Sequence, residues 1–281
     1  MSIFAAFILA AAVGITEILP VSGSGHLYIL AKILGVPVSS GVFLSFRAMI
    51  CLGTGFAGIL FYRTQIWDML RENLVLLGLL RPAGRQRGVP FARRLGQLLF
   101  FSTLPLVPAL LLNGLRTRIE QGDGTLAIIA VLLCCSGAVL YYVSRSARGK
   151  RNIHQITLAD ALTAGAVQIL SVLPGLSRVA LSLSVLLGRG LETSAAVEFA
   201  GLMGIPAFLG AGIVQLLGAS SGGESFASAP LLILGFALSA LAGYFTLRVF
   251  TERMAERKPS GFAYWSWGAA ILALILFLVS A

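Results

Sequence analysis

The polar side chains best suited to chemistry fall in two short stretches of an otherwise apolar chain. Residues 14–27 (GITEILPVSGSGHL) carry Glu17, Ser22, Ser24 and His26. Residues 165–179 (GAVQILSVLPGLSRV) carry Gln168, Ser177 and Arg178. A carboxylate such as Glu17 can share a divalent ion (Mg²⁺ or Ca²⁺) with pyrophosphate oxygens, or act as a general base with His26 as its acid or base partner. Ser22, Ser24 or Ser177 becomes a nucleophile if His26 activates it. Arg178 offers a planar, permanently charged fork that suits phosphate oxygens.

Both stretches place these groups where an apolar run breaks into Gly, Pro and Ser and then resumes. Ser24 or Gly25 is placed to cap a helix over 26–34, and Ser177 one over 178–187. Helix N-termini expose free N–H groups and a partial positive charge, so two that face each other form an anion site. Gly23, Gly25 and Gly175 allow close backbone approach. Together these features point to a phosphate or carboxylate ligand held at membrane depth. The structural alternative is a buried Glu17–Arg178 ion pair, with His26 a satisfied buried histidine and the serines simple caps. Burying either charge alone costs at least about 2.5–3.5 kcal/mol, so pairing is expected under either reading.

The two stretches also resemble each other. A slide of 151 positions matches Gly14 with Gly165, Ile18 with Ile169, Leu19 with Leu170 and Val21 with Val172, and sets Glu17 against Gln168.

The elements that must position these groups are membrane helices. Of 281 residues, 57% are hydrophobic and only 11% charged, with a mean hydropathy of +0.91. Soluble domains are about a quarter charged. This composition excludes a sizeable soluble domain and defines an all-α polytopic membrane protein. The net charge of +10 reports topology and anionic lipid rather than nucleic acid. Cys51, Cys134 and Cys135 lie in apolar runs and read as buried thiols. The first residues lack a basic n-region and are not read as a cleaved signal peptide.

Residues 2–19 and 27–35 are each too short for the ~20 residues of a full span. They read as a re-entrant pair turning at 20–25, and residues 158–172 and 177–188 read as a second pair. Full spans are expected over 41–62, 95–112, 125–143, 194–218, 229–249 and 262–280. The polar stretch 63–94 carries seven arginines, and the run RSARGKRN at 145–152 has four basic residues and no acid. Arg248, Arg253, Arg257 and Lys258 mark the loop 251–260, whereas 219–228 carries only Glu224 and 113–124 is nearly balanced. The positive-inside rule puts the basic loops in the cytoplasm and both termini outside. Each half is then a re-entrant pair plus three spans entered from opposite sides: an inverted repeat of 1–143 and 158–281, joined by the basic linker 144–157 within one membrane domain. Asp160 and Glu198 read as first-turn dipole partners and His154 as a solvated loop residue. Arg47 is either an interfacial residue or part of the site.

On these residues the chain resembles the undecaprenyl pyrophosphate phosphatase family, the bacitracin-resistance type of bacterial membrane phosphatase. Residues 14–26 are similar to the family's E-G-(L/I)-T-E-F-L-P-(I/V)-S-S-T-G-H motif, and residues 174–178 to the start of its P-G-(T/M)-S-R-S-G motif. Support comes from Leu52 and Gly53, the run GIPA at 204–207, and residues 262–268. The resemblance implies hydrolysis of a polyprenyl pyrophosphate to its monophosphate with a divalent cation, at a site open to the periplasmic face of the inner membrane. That reaction recycles the lipid carrier of cell-wall synthesis. A homodimer is compatible with it. Carried over by motif position, Glu17 is a catalytic or metal-binding carboxylate, His26 an acid/base or activating group, and Arg178 the phosphate-binding arginine. Ser22 and Ser177 are motif serines. This chain has Val13 where the family has its first glutamate, Gly23 where it has the second serine, and Val179-Ala180 after the arginine. Ser24, at the family's threonine, or a water is left to attack. A non-hydrolytic carrier or flippase for a polyprenyl phosphate is the reading from another class. A secondary transporter of a small anion is the third.

Overall fold

The computed structural model describes residues 1–81, 89–146, 149–221, 226–254 and 259–280, and these are helical almost throughout. The chain opens with two short helices, α1 (Ile3–Ile18) and α2 (Gly23–Ile33). A long helix follows, α3 (Gly41–Phe61), then the amphipathic α4 (Arg63–Leu76) and α5 (Val89–Thr103). Two 3-10 turns, Leu104–Leu106 and Pro108–Leu112, lead into α6 (Asn113–Gln121) and α7 (Thr125–Ser146). Next come α8 (Leu158–Gln168), extended by the 3-10 turn Ile169–Val172, and α9 (Arg178–Gly188). Three long helices close the fold: α10 (Thr193–Ser221), α11 (Ala229–Met254) and α12 (Gly261–Ser280).

The helix starts follow from local chemistry. Ser2, Ser22, Ser40 and Ser177 each accept a first-turn backbone N–H, and Thr157 forms a capping box with Asp160. Five helices among the described residues are long and apolar enough to cross a membrane: α3, α7, α10, α11 and α12. Large apolar side chains on their outer faces, such as Leu241, Phe245, Ile271 and Ile275, are exposed. This is the architecture of a multi-pass membrane protein, whose outer surface faces lipid rather than water.

The short helices form two hairpins, α1 against α2 and α8 against α9. Their partners are arranged in a matching way. α1 packs on α11 and α8 on α5; α9 packs on α7 and α2 on α12. α3 and α10 pack on each other, as do α7 and α12. Gly14 and Gly165 make the first two of these contacts close. A Cβ at Gly14 would lie 2.8 Å from the Ser239 backbone, and one at Gly165 would collide with the Ser102 carbonyl.

Several expectations are corrected. The span expected over 95–112 is not one helix. α5 stops at Thr103, where Pro105 and Pro108 lack the N–H that a continuing helix needs, and the chain turns through 3-10 geometry. The stretch 63–94 is α4 and the start of α5 rather than a loop, and Arg85 and Arg87 within it lie outside the described residues. So do Arg148, Glu224, Arg257 and Lys258. Cys51 is buried, but Cys134 and Cys135 are exposed on α7. His154 is exposed, as expected of a loop residue, with its ring tilted against Phe91 at a centroid distance of 4.0 Å. Asp160 does more than complement a dipole: it is fully buried and pairs with Arg151 at 2.6 Å and Arg189 at 2.5 Å, tying the start of α8 to the end of α9. Glu198 accepts a hydrogen bond from Gln65.

Candidate active site

The two hairpin tips meet. Ser22, the N-cap of α2, sits at φ +67°, and its hydroxyl accepts the Gly25 N–H at 3.2 Å. A non-glycine residue in that left-handed region stores strain that its surroundings must hold. His26 supplies part of that hold. Its Nδ1 lies 2.7 Å from the Ser22 carbonyl oxygen and, facing an acceptor, donates the hydrogen. Across the tip, Gly175 adopts φ +107° and its N–H donates to the Ser24 hydroxyl at 3.4 Å. Ser24 Oγ is also 3.3 Å from Ser22 Oγ. Ser177 caps α9 by accepting the Ala180 N–H, and its own N–H donates to Ser136 on α7.

Beside this junction lies a cavity of about 270 Å³. Glu17, Ser22, Gly23 and Ser24 line it from the first hairpin, and Gln168, Ser171, Ser177 and Arg178 from the second. Arg47, Arg116 and Gln215 add further polar groups, and Leu106, Val107, Pro206 and Phe208 an apolar wall. Of the expected site residues, then, Glu17, Ser22, Ser24, Ser177 and Arg178 share one cavity. Gly25 and Gly175 shape the junction next to it. His26 does not line the cavity: its Nε2 accepts the indole N–H of Trp265, which is not a lining residue either, at 2.8 Å.

Arg178 lies at the first turn of α9. Its guanidinium carbon is 4.7 Å from the centre of the Phe208 ring, and its Nε donates to Ser171 at 3.4 Å. Arg178 Nη1, Gln168 Oε1 and Gln215 Oε1 are buried without a hydrogen-bond partner among the described residues. Such orphaned groups are costly unless a ligand meets them. The expected Glu17–Arg178 ion pair is not formed among the described residues. Glu17 instead feels the charges of Arg178, Arg47 and Arg116 together, and its side chain lies where a Cβ at position 23 would be. Gly23 is what lets the carboxylate rest against the start of α2.

Arg47 proves to be a buried residue of the cavity wall. Its Nη1 donates to Tyr28 at 2.7 Å and to Glu120 at 2.9 Å. Arg116, one turn before Glu120 on α6, donates its Nε to the same carboxylate oxygen at 2.7 Å. Burial raises the Glu120 pKa, but Arg47 and Arg116 more than reverse it and hold the carboxyl below its ordinary value. Sequence reasoning left Arg47 undecided and missed Arg116. The signal available for Arg116 was its i,i+4 spacing to Glu120.

Fold and cavity define a multi-pass helical membrane protein with an arginine-lined site enclosed between two hairpin tips. The chain belongs to the bacitracin resistance protein BacA family, whose family model matches residues 6–272. It is 31% identical over 278 residues to an undecaprenyl-diphosphatase of Carboxydothermus hydrogenoformans, covering 98% of each chain. It is 31% identical over 281 residues to one of Alkaliphilus metalliredigens, covering 99% of this chain and all of the relative. An undecaprenyl-diphosphatase 3 of Bacillus cereus is 29% identical over 271 residues, 96% of each.

Proposed function

We propose that this protein hydrolyses undecaprenyl pyrophosphate to undecaprenyl phosphate and inorganic phosphate within the membrane. The observation that carries the reading is the cavity itself. It joins a carboxylate, a serine hydroxyl and, at a helix start, an arginine whose buried Nη1 has no hydrogen-bond partner among the described residues. This fits a family whose curated relatives are named for that activity.

In this reading Arg178 and the α9 N-terminus bind phosphate oxygens. Ser24 Oγ attacks the terminal phosphorus and Glu17 accepts its proton. The bond from that phosphorus to the bridging oxygen breaks, and undecaprenyl phosphate leaves with the electron pair. Water then attacks the phosphoserine, releasing inorganic phosphate and restoring the hydroxyl. His26 positions the tip by fixing the Ser22 carbonyl.

A divalent cation is expected from the resemblance. The donor set does not fit an ion held by the protein alone. Glu17 is the single carboxylate lining the cavity among the described residues, it faces three guanidiniums, and no group of three or more His, Cys, Asp or Glu side chains comes together among them. Pyrophosphate oxygens would have to supply the other ligands.

We also read the architecture as an inverted repeat with re-entrant tips. Three observations support it: the paired hairpins, the matching of α1–α11 with α8–α5, and that of α9–α7 with α2–α12. A sixth crossing would then be α5 with the 3-10 turns after it. The basic segments around 63–94, 144–157 and 250–260 favour the cytoplasm, and the family resemblance implies a site open to the outer side of a bacterial inner membrane.

The test is phosphate release from undecaprenyl pyrophosphate by the purified protein in detergent, beside Glu17→Gln, Ser24→Ala and Arg178→Ala. Release in the parent that falls at least about 10²-fold in all three variants is expected, the usual scale for losing a transition-state contact. Release retained by Ser24→Ala alone assigns the attack to water. Absence of release from folded parent protein overturns the phosphatase reading.

A further inference from the structure

The Arg47–Glu120–Arg116 cluster is not explained by the roles given above. It is largely buried within the fold: Arg47 is 6% exposed and Glu120 9%. One carboxylate oxygen serves two guanidiniums, so the cluster keeps a net positive charge. Arg178 and Glu17 cancel each other across the same cavity, and the surplus remains. A buried net charge is expensive unless a counter-ion meets it. Both arginines line the cavity, and Arg178 lies within electrostatic reach of each of them.

The two arginines are held differently. Arg47 Nη1 is used twice, by Tyr28 and Glu120, and its guanidinium lies 5.4 Å from the centre of the Tyr28 ring. That makes it an anchor. Arg116, also a lining residue of the cavity, is tied to Glu120 through Nε alone, which leaves the two Nη groups of its fork out of that bond. It is carried by α6, on the segment that also brings Leu106, Val107 and Ala109 to the cavity wall.

We propose that Arg116 is a second phosphate-binding residue, which takes one phosphate of a pyrophosphate group while Arg178 takes the other. Glu120 and Arg47 are the positioning residues that aim it. The inference rests on the phosphatase reading for its substrate, while the cavity lining itself calls only for an anionic ligand that reaches both arginines. It explains how one cavity prefers a pyrophosphate over the monophosphate that it releases. The substrate bridges two arginines on separate elements, whereas the product spans only one.

The experiment is isothermal titration of the detergent-solubilised full chain with inorganic pyrophosphate and, separately, inorganic phosphate. The parent is compared with Arg116→Gln, Arg116→Lys and Arg178→Gln. Removing a charged hydrogen bond changes binding by about ten- to a hundredfold. Arg116→Gln is expected to weaken pyrophosphate by that factor and phosphate by less than about threefold. Arg178→Gln should weaken both. Arg116→Lys keeps the charge but not the fork and should fall between parent and Gln for pyrophosphate. Thermal melting of each variant checks that the Arg47–Glu120 pair still holds the fold, and a misfolded Gln variant leaves the Lys variant to decide. Pyrophosphate binding unchanged in Arg116→Gln, or phosphate weakened just as much, overturns the subsite. A parent that binds pyrophosphate through Arg116 yet releases no phosphate from the lipid leaves the subsite standing and overturns the phosphatase reading alone.

Discussion

The Gly175 N–H donates to the hydroxyl of Ser24 at 3.4 Å, across 151 residues of chain. That separation equals the slide that brings the two polar stretches into register, so the bond joins a position to its own counterpart. In an object built of two related halves, contact between equivalent positions falls on the axis between them. The junction is also tight. A Cβ at Gly175 would lie 2.9 Å from the Ile129 carbonyl oxygen, at a φ of +107° that side chains rarely adopt. Gly175→Ala is therefore expected to cost about 1–3 kcal/mol of local strain and to separate the tips. Thermal melting in detergent should fall, and phosphate release should fall with it. An alanine variant that melts and turns over like the parent would show that the tip contact is dispensable.

Position 23 gives a sharper test. The family motif has a serine there and this chain a glycine. Restoring the family residue looks like a gain, yet a Cβ at position 23 would collide with the Glu17 side chain. Gly23→Ser is expected to push the carboxylate off the start of α2 and to lower phosphate release by at least about tenfold, the effect of misplacing one proton-transfer group. Turnover raised by Gly23→Ser would mean that Glu17 relocates freely and that Ser24 is a weak substitute for the missing hydroxyl.

His26 does not line the cavity, both its ring nitrogens are engaged in hydrogen bonds, and the two can be tested independently. Nδ1 holds the Ser22 carbonyl and so the strained tip, while Nε2 takes only the Trp265 N–H. Trp265→Phe keeps the first bond and is expected to leave turnover within about threefold, less than the ~1 kcal/mol of a typical hydrogen bond. His26→Ala removes the first bond and should lower both the melting temperature and turnover. A large loss of turnover in Trp265→Phe, with unchanged melting and a shifted pH profile, would instead make Nε2 the proton carrier.

The sequence revealed the two polar stretches because rare polar groups in apolar chain can persist only where something pairs them. Five crossing helices were legible from composition for the same reason. What it hid were relations set by tertiary packing. Residues 95–112 are apolar enough to span, but composition does not weigh Pro105 and Pro108 against helix continuity. The type of residue 26 suggested acid/base chemistry, while the direction of its ring depends on Trp265, 239 positions away. Arg47 could not be placed because its partner Glu120 lies 73 positions on, in a segment whose charges nearly balance. Cys134 and Cys135 looked buried because an apolar run does not say which face of α7 meets lipid.

The charges around Glu17 also set the terms on which a divalent cation would enter. A hard divalent cation takes six or more oxygen ligands, and the cavity offers it one lining carboxylate among the described residues, facing Arg178, Arg47 and Arg116. Three guanidiniums repel a bare cation but attract a cation already wrapped in pyrophosphate oxygens. Mg²⁺ or Ca²⁺ titrated alone into the detergent-solubilised protein is therefore expected to show no saturable binding at micromolar concentration. The same titration with inorganic pyrophosphate present should show binding, and Glu17→Gln should weaken that ternary complex more than it weakens pyrophosphate alone. Chelator should stop phosphate release, and excess metal should restore it along the curve for formation of the metal–pyrophosphate complex. A tight, saturable metal site in the substrate-free protein would overturn this order of binding and show that the cavity gathers oxygen ligands beyond Glu17.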